Sequence, residues 1–143
     1  MSTSRGPRRL GWDECPCSGA TLARLLQPAI MTLLAAGPLH GYRIVQRLAK
    51  TPLVGAGRPD PTGVYRMLRL MEQRGLVGFA WDLSDTGPAK RLYRLTPDGR
   101  RCLVRWVRTL TVYRRAVGGL LAAVRRASAR RPGHTRGRAK ENA

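Results

Sequence analysis

The stretch PLHGYRIVQRLAK, residues 38–50, places a sharp corner directly before a basic amphipathic helix. Gly37 and Pro38 end the apolar run that precedes the corner, since glycine terminates helices and proline cannot continue one. After the corner, apolar residues recur at helical spacing, at Tyr42, Ile44, Val45 and Leu48. The sequence therefore predicts two short helices joined by a tight corner, and the neighbouring segments decide which fold they belong to.

The segments on either side of the corner also have helical patterns. Upstream, residues 21–34 carry one apolar stripe, in which Pro28 predicts a kink or the start of a new helix. Downstream, Asp60 and Pro61 form an N-cap and first-turn pair, and the helix that follows ends at Gly75. We expect the inward face of this third helix at Val64, Met67, Leu68 and Met71.

A β-hairpin is predicted after the third helix. Apolar and polar residues alternate in two short runs, as they do in half-buried strands, and residues 84–89 supply the turn between them. The buried side of the two strands is expected at Val77, Phe79, Trp81, Tyr93 and Leu95.

The last predicted helix is long. Thr96 caps it, Pro97 opens its first turn, and its pattern continues to about Arg126. A helix of ~30 residues is about 45 Å long, more than so small a domain can cover. Its apolar residues follow the three–four spacing of a coiled coil, at Leu103, Trp106, Leu110, Tyr113, Val117, Leu120 and Val124. We therefore expect the helix to pair with a copy of itself in a homodimer.

The composition is strongly basic. The chain of 143 residues has 27 Lys and Arg against 8 Asp and Glu, a net charge of +19. Such a surplus indicates an anionic partner, either nucleic acid or an acidic membrane face. No apolar run approaches the ~18 residues of a membrane span, and no apolar secretory segment follows the basic start. We therefore expect a cytoplasmic protein, while the composition alone does not choose between the two partners.

The order of the elements predicts a mainly α fold with a small β-hairpin, a winged helix-turn-helix followed by a long C-terminal dimerisation helix. In this fold the third helix enters the major groove of double-stranded DNA and the hairpin forms the wing. We expect four segments: a basic, partly disordered arm (1–18), the winged helix-turn-helix (19–96), the dimerisation helix (97–126) and a disordered basic tail (127–143).

Several short motifs carry a family resemblance. They are PLHGY at 38–42, GVY at 63–65, GLV at 75–77, GP at 87–88, and Y-x-L-T-x-x-G at 93–99. With these motifs the sequence resembles the PadR-type transcriptional regulators over residues 25–121. The resemblance implies a homodimeric DNA-binding regulator, usually a repressor, which in some members releases DNA on binding an aromatic or drug-like effector. It also implies a cytoplasmic protein of bacterial type that is associated with nucleoid DNA and not with a membrane.

The third helix carries the candidate DNA contacts. Its polar face lies outside the apolar stripe, at Thr62, Tyr65, Arg66, Arg69 and Gln73. Arg66 and Arg69 can each bind a guanine edge through two hydrogen bonds, while Thr62 and Tyr65 suit phosphates. Lys90 and Arg91, beside the wing turn, are candidates for the DNA backbone or the minor groove. A merely solvated face is the alternative interpretation.

Two residues at the corner have more than one interpretation. His40 stands alone, without a Ser, Asp or second His spaced for catalysis, and a structural capping role is expected. Tyr42 is expected to pack against the long helix rather than to contact DNA. The sequence shows no paired carboxylates, nucleophile–base set or phosphate loop, so an enzyme is not expected.

Two further sets of residues suggest ligands. Trp106 and Tyr113 could stack a small aromatic ligand at the dimer centre, or simply form interface core. Cys15 and Cys17 flank one proline, and Cys102 could approach them in a dimer, but three Cys and two His show no closed metal-site spacing. No cofactor is predicted. Two alternatives stay open: a sequence-neutral nucleic-acid-binding architectural protein, and a winged-helix sensor of metal or redox state that uses Cys15 and Cys17.

Overall fold

A computed structural model describes residues 25–51, 60–83 and 87–130. The elements follow one another as α1 (Leu26–Ala35), β1 (Leu39–His40), α2 (Gly41–Lys50), α3 (Pro61–Gln73), β2 (Val77–Asp82), β3 (Lys90–Leu95) and α4 (Pro97–Ala129). This order confirms the predicted class: three short helices, a hairpin and a long C-terminal helix. We call strands β2 and β3 together the wing; residues 84–86 of the predicted turn lie outside the described ranges.

The core forms where α1 packs against α2, α3 and β3. Helix α1 begins at Leu26, so Pro28 lies in its first turn, where a missing backbone N–H costs little. Met31 is fully buried although it lies outside the predicted stripe. The other fully buried side chains of the three helices belong to the predicted stripes, at Ile30, Leu34, Ile44, Leu48, Val64, Leu68 and Met71. Met67, also predicted to face inward, is only half-buried. Residues 21–24, which the predicted first helix includes, lie outside the described ranges.

The sheet has one strand more than the predicted hairpin. Strands β2 and β3 pair antiparallel, with Val77 opposite Leu95 at the core end and Asp82 opposite Lys90 at the other. The two-residue strand β1 adds to the free edge of β3, which gives the order β1-β3-β2. A strand of two residues has no detectable alternation, so only its pairing with β3 defines it.

Burial along the wing decreases away from the core. Val77, Tyr93 and Leu95 are buried as predicted, and Phe79 is half-buried. Trp81 was predicted to be buried, and this was wrong, because its side chain is 56% exposed. Its cross-strand partner is Arg91 rather than an apolar residue, so this end of the strand extends beyond the core.

The junction between α3 and α4 is tightly packed. Thr96 caps α4 as predicted, since its hydroxyl oxygen accepts a 3.0 Å hydrogen bond from the Gly99 amide. The same hydroxyl donates to the carbonyl of Gly75 over 2.6 Å, and Gly75 has the left-handed φ of +73° that favours glycine. A Cβ at Gly99 would lie 2.0 Å from the carbonyl oxygen of Leu76. The start of α4 is therefore held against the turn that ends α3.

Helix α4 runs for 33 residues, three beyond the predicted end at Arg126. The chain divides into two units within this helix, between Arg105 and Trp106. On the single chain, the predicted seam residues Leu110, Tyr113, Val117, Leu120 and Val124 are between 37% and 64% exposed, while Leu103 and Trp106 are half-buried. None of the helices in the described ranges is long and apolar enough to span a membrane.

Candidate nucleic-acid interface

Helix α3 presents one buried face and one exposed polar face. Asp60 caps it as predicted, because its carboxylate accepts a 3.2 Å hydrogen bond from the Thr62 amide, and Pro61 fills the first position. The candidate DNA contacts on this helix all lie on the exposed face, at Thr62, Tyr65, Arg66, Arg69 and Gln73. The helix therefore offers two arginines and three hydrogen-bonding side chains to a ligand outside the fold.

A groove of about 470 Å³ lies between α3, the start of α2 and the wing. We call it the wing groove. Four of the seven candidate DNA contacts line it together, at Tyr65, Arg69, Lys90 and Arg91. The other three, Thr62, Arg66 and Gln73, lie on α3 outside the groove lining. The fold thus combines side chains from two distant parts of the sequence in one cationic surface.

Two aromatic side chains of the wing groove were not predicted as part of the site. Tyr42 was expected to pack against the long helix, but it is 67% exposed and lines the groove. The apolar face of α2 follows Ile44 and Leu48, and Tyr42 lies about 200° around the helix from Ile44. That spacing is visible in the sequence and could have identified Tyr42 as an exposed residue. Trp81 lines the groove from the wing, as a consequence of its exposure.

Gly41 and Tyr65 are in close contact across the groove floor. A Cβ added at Gly41 would lie 2.6 Å from Cε1 of Tyr65, closer than two carbon atoms approach. The Tyr65 ring therefore rests on the first residue of α2, where only a hydrogen atom leaves room for it. This contact gives the glycine of the HGY motif a specific purpose, which is to seat the tyrosine of α3.

His40 occupies the N-cap position of α2 through its backbone, with extended φ and ψ angles. This position agrees with the expected structural role at the start of the helix, although the His40 ring itself makes no capping hydrogen bond. Instead, the ring Nε2 lies 2.9 Å from Oδ2 of Asp82, the last residue of β2. The carboxylate accepts this bond, so the ring nitrogen donates it. His40 thereby connects the corner of the helix-turn-helix to the wing.

Arg91 is held by three neighbours. Its Nη1 lies 3.7 Å from Oε2 of Glu72, near the end of α3. Its guanidinium carbon lies 4.4 Å from the centre of the Phe79 ring and 5.4 Å from that of Trp81. Cations bind favourably to the faces of aromatic rings at such distances. Arg91 therefore links the wing to α3 in addition to lining the groove.

Comparison with known proteins identifies the family. The model of the transcriptional regulator PadR-like family matches residues 30–105, from α1 into α4. The chain belongs to the PadR-like family. Regulators of this family are DNA-binding transcription factors, so the exposed face of α3 and the wing groove lie on the part of the fold that family members share. No significant match occurs among curated proteins.

Solved structures of transcriptional regulators have the same fold. Bacillus subtilis PadR, whose structure was solved with operator DNA, is 30% identical with a TM-score of 0.52, over 59% of this chain and 47% of that one. A candidate transcriptional regulator from Thermoplasma acidophilum is 26% identical with a TM-score of 0.63, over 71% and 94%. A PadR-like transcription factor from Bacteroides fragilis is 22% identical with a TM-score of 0.59, over 74% and 99%.

The candidate ligand residues of this PadR-family chain are more dispersed. Cys102 is half-buried, and its sulfur lies 3.9 Å from the side-chain nitrogen of Gln27. Cys15 and Cys17 lie outside the described residues, so the metal or redox hypothesis stays a prediction. Within the described ranges, no group of three or more His, Cys, Asp or Glu could hold a metal ion. Trp106 is half-buried and Tyr113 is exposed on the single chain.

Proposed function

We propose that this PadR-family regulator is a homodimeric repressor that recognises a specific operator sequence. The proposal rests on the exposed face of α3, which carries Arg66 and Arg69. Arg69 also lines the wing groove together with Lys90 and Arg91 of the wing. A bound repressor acts by occupying DNA that the transcription machinery needs. Sequence-specific affinity, rather than charge alone, is therefore the property to be tested.

In the proposed complex, α3 lies in the major groove. Arg66 and Arg69 bind guanine edges, Gln73 is suited to an adenine, and Thr62 and Tyr65 contact phosphates. The wing lies over the neighbouring backbone and minor groove, where Lys90 and Arg91 add positive charge. A sugar–phosphate strand that passes from one DNA groove to the next would then occupy the wing groove, which Tyr42 and Trp81 also line.

The homodimer is proposed from the exposed seam of α4. The seven seam residues keep the three–four spacing of a coiled coil over more than five turns. Burying such a stripe against a second copy would remove several hundred square ångströms of apolar surface from water, at roughly 25 cal/mol per Å². A two-fold symmetric dimer presents two α3 helices, so the operator is expected to be an inverted repeat.

The effector hypothesis rests on the aromatic members of the seam. Trp106 and Tyr113 lie two helical turns apart, about 10 Å along the axis. In a dimer each would face the partner helix, so a small flat aromatic ligand could stack between rings from the two chains. Ligand binding there would change how the two helices pack, and with it the separation of the two α3 helices on the operator.

Selection of bound DNA from a random duplex pool tests the proposal. We expect an inverted repeat to be enriched by the wild-type protein, and no enrichment by a variant with both Arg66→Ala and Arg69→Ala. Tight binding without any enriched sequence would contradict the proposal and favour the architectural alternative. Transcription in vitro from a promoter carrying the selected site then tests repression, which predicts that added protein lowers the transcript level.

A further inference from the structure

We infer that Glu72 and Asp82 are positioning residues for operator recognition: they hold the wing at a set angle to α3 by binding two side chains that line the wing groove. The inference rests on the proposed DNA binding and adds to it, because neither carboxylate lines the groove itself. Each instead contacts a residue that lines the groove: Glu72 contacts Arg91, and Asp82 contacts His40.

The Asp82–His40 contact ties the wing to the helix-turn-helix corner. Asp82 ends β2, His40 belongs to β1, and β3 lies between these two strands. Their side chains therefore meet across β3, with 2.9 Å between Nε2 and Oδ2. Both side chains are about one-third exposed, at 32% and 37%, so the contact is partly shielded from water. The end of β2 is thereby attached to the residue that starts α2.

The Glu72–Arg91 contact connects the wing to α3. Glu72 lies in the last turn of α3, and Arg91 is the second residue of β3. The guanidinium is also stacked on Phe79, whose ring packs against Trp81 in a T-shaped arrangement with centroids 5.6 Å apart. The wing thus has two separate attachments, one to α2 through β1 and one to α3. Two attachments on different elements restrict rotation of the wing about its base.

Glu72 and Asp82 are acidic residues close to the proposed DNA-binding surface. An acidic side chain close to a DNA-binding surface weakens binding by repelling phosphates, unless it has another role. The described ranges contain four acidic residues. Asp60 caps α3, and Asp98 pairs with Arg101 within the first turns of α4. The remaining two, Glu72 and Asp82, both hold side chains of the wing groove.

Repulsion and positioning predict opposite results when the charge is removed. If the carboxylates only repel DNA, Glu72→Gln and Asp82→Asn raise the affinity for every duplex by a similar factor. If they position the wing, the same changes release it, and the operator complex loses wing contacts that random DNA never made. The ratio of operator affinity to random-DNA affinity then falls, even where total affinity for random DNA rises.

The experiment compares the full-length wild type, Glu72→Gln, Asp82→Asn and the control Asp98→Asn, which removes the same charge from α4. Binding is measured on the selected operator and on a scrambled duplex of equal length, at several salt concentrations. We expect Glu72→Gln and Asp82→Asn each to lower the operator-to-scrambled ratio by about two- to tenfold, with base preference lost mainly at positions the wing reaches. The Asp98→Asn ratio should match the wild type.

A second variant separates loss of the contact from loss of an acidic charge. His40→Ala removes the partner of Asp82 without removing an acidic charge, so it should lower the ratio as Asp82→Asn does. The double variant with His40→Ala and Asp82→Asn should lower the operator-to-scrambled ratio no further than either single change does. Both changes break the same contact. Equal affinity gains on both duplexes, or additive losses in the double variant, would overturn the inference. A wild type that does not discriminate the two duplexes would instead overturn the proposed function, and this inference with it.

Discussion

Helices α3 and α4 have the same kind of pattern, an apolar stripe on an arginine-rich helix, but the stripes have different surroundings. On α3, Val64, Leu68 and Met71 are fully buried against the rest of the chain. On α4, Val117 and Leu120 are 63% and 64% exposed on the single chain. One helix therefore finds the cover for its apolar face within its own fold, whereas the other presents an equally regular apolar face to the outside.

This difference indicates what each exposed surface is for. Where the apolar face is buried, as on α3, the exposed face is polar and cationic, which suits DNA. Where the apolar face is exposed, as on α4, the missing cover has to come from elsewhere, and a second copy of the same seam is the simplest source.

The largest effect is expected from charges in the α4 seam. Leu110→Asp with Leu120→Asp would place two carboxylates in the proposed interface, where burying them is costly. We expect a monomer, and because one chain then holds only one half-site, operator affinity should fall by roughly 10²–10⁴-fold. Analytical ultracentrifugation gives the mass, and a binding titration gives the affinity.

The matched control changes two apolar residues of α4 outside the seam. Val104 and Val112 are also well exposed, but they do not share the three–four spacing. Val104→Asp with Val112→Asp should leave the dimer and most of the operator affinity in place. If both double variants gave the same mass as the wild type, the seam would not be the interface.

A pair of glycines within α4 compares its packed start with its exposed middle. A Cβ at Gly99 meets the carbonyl oxygen of Leu76 at 2.0 Å, whereas a Cβ at Gly118 has nothing within 4 Å. We expect Gly99→Ala to lower the free energy of unfolding by about 3 kcal/mol or more. Gly118→Ala should raise it by up to ~1 kcal/mol through helix propensity. Urea unfolding measures both, and equal values would refute the contrast.

Arginines on the two helices should differ in what they recognise. Arg66→Ala or Arg69→Ala on α3 should each cost about 1–3 kcal/mol on the operator and relax the preference at one base position. Arg108→Ala on α4 removes the same charge from an exposed site and should weaken operator and random DNA alike, by much less. If the α3 variants lost the same affinity for operator and for random DNA, these arginines would contact only phosphates.

The smallest effect concerns the seat of Tyr65. Gly41→Ala should displace the Tyr65 ring and cost about 1 kcal/mol in operator affinity, the scale of one hydrogen bond. Tyr65→Ala should cost about the same, and the two changes together no more than one alone. Gly63→Ala is the control, because its Cβ would lie 3.9 Å from the nearest atom, an ordinary van der Waals distance. A fully additive double variant would show that Gly41 does not act through Tyr65.

Much of the fold could be predicted because it depends on local patterns. The buried residues of α1, α2 and α3 follow from helical spacing, and the caps at Asp60 and Thr96 follow from the chemistry of helix starts. The two strands of the wing were recognisable from their alternation. Strand β1 was missed, since two residues form a strand only when β3 is beside them.

The candidate site could be predicted only in part. The polar face of α3 follows from its spacing, and so does the exposure of Tyr42, which stands two residues before Ile44. The exposure of Trp81 depends on which residue lies opposite it, and alternation alone places Trp81 on the same face as Val77. The register that pairs it with Arg91 is a property of the folded hairpin.

The sequence by itself determined the order of the helices and the hairpin, the caps of α3 and α4, the seam on α4 and the motifs that identify the PadR family. Each of these depends on residues close together in the chain. Only the tertiary structure decided how distant residues meet. It placed Tyr65 on Gly41, His40 beside Asp82 and Arg91 beside Glu72. No local rule gives the partner of a side chain 42 residues away. Such contacts arise from the packing of whole helices and strands, which positions their side chains together.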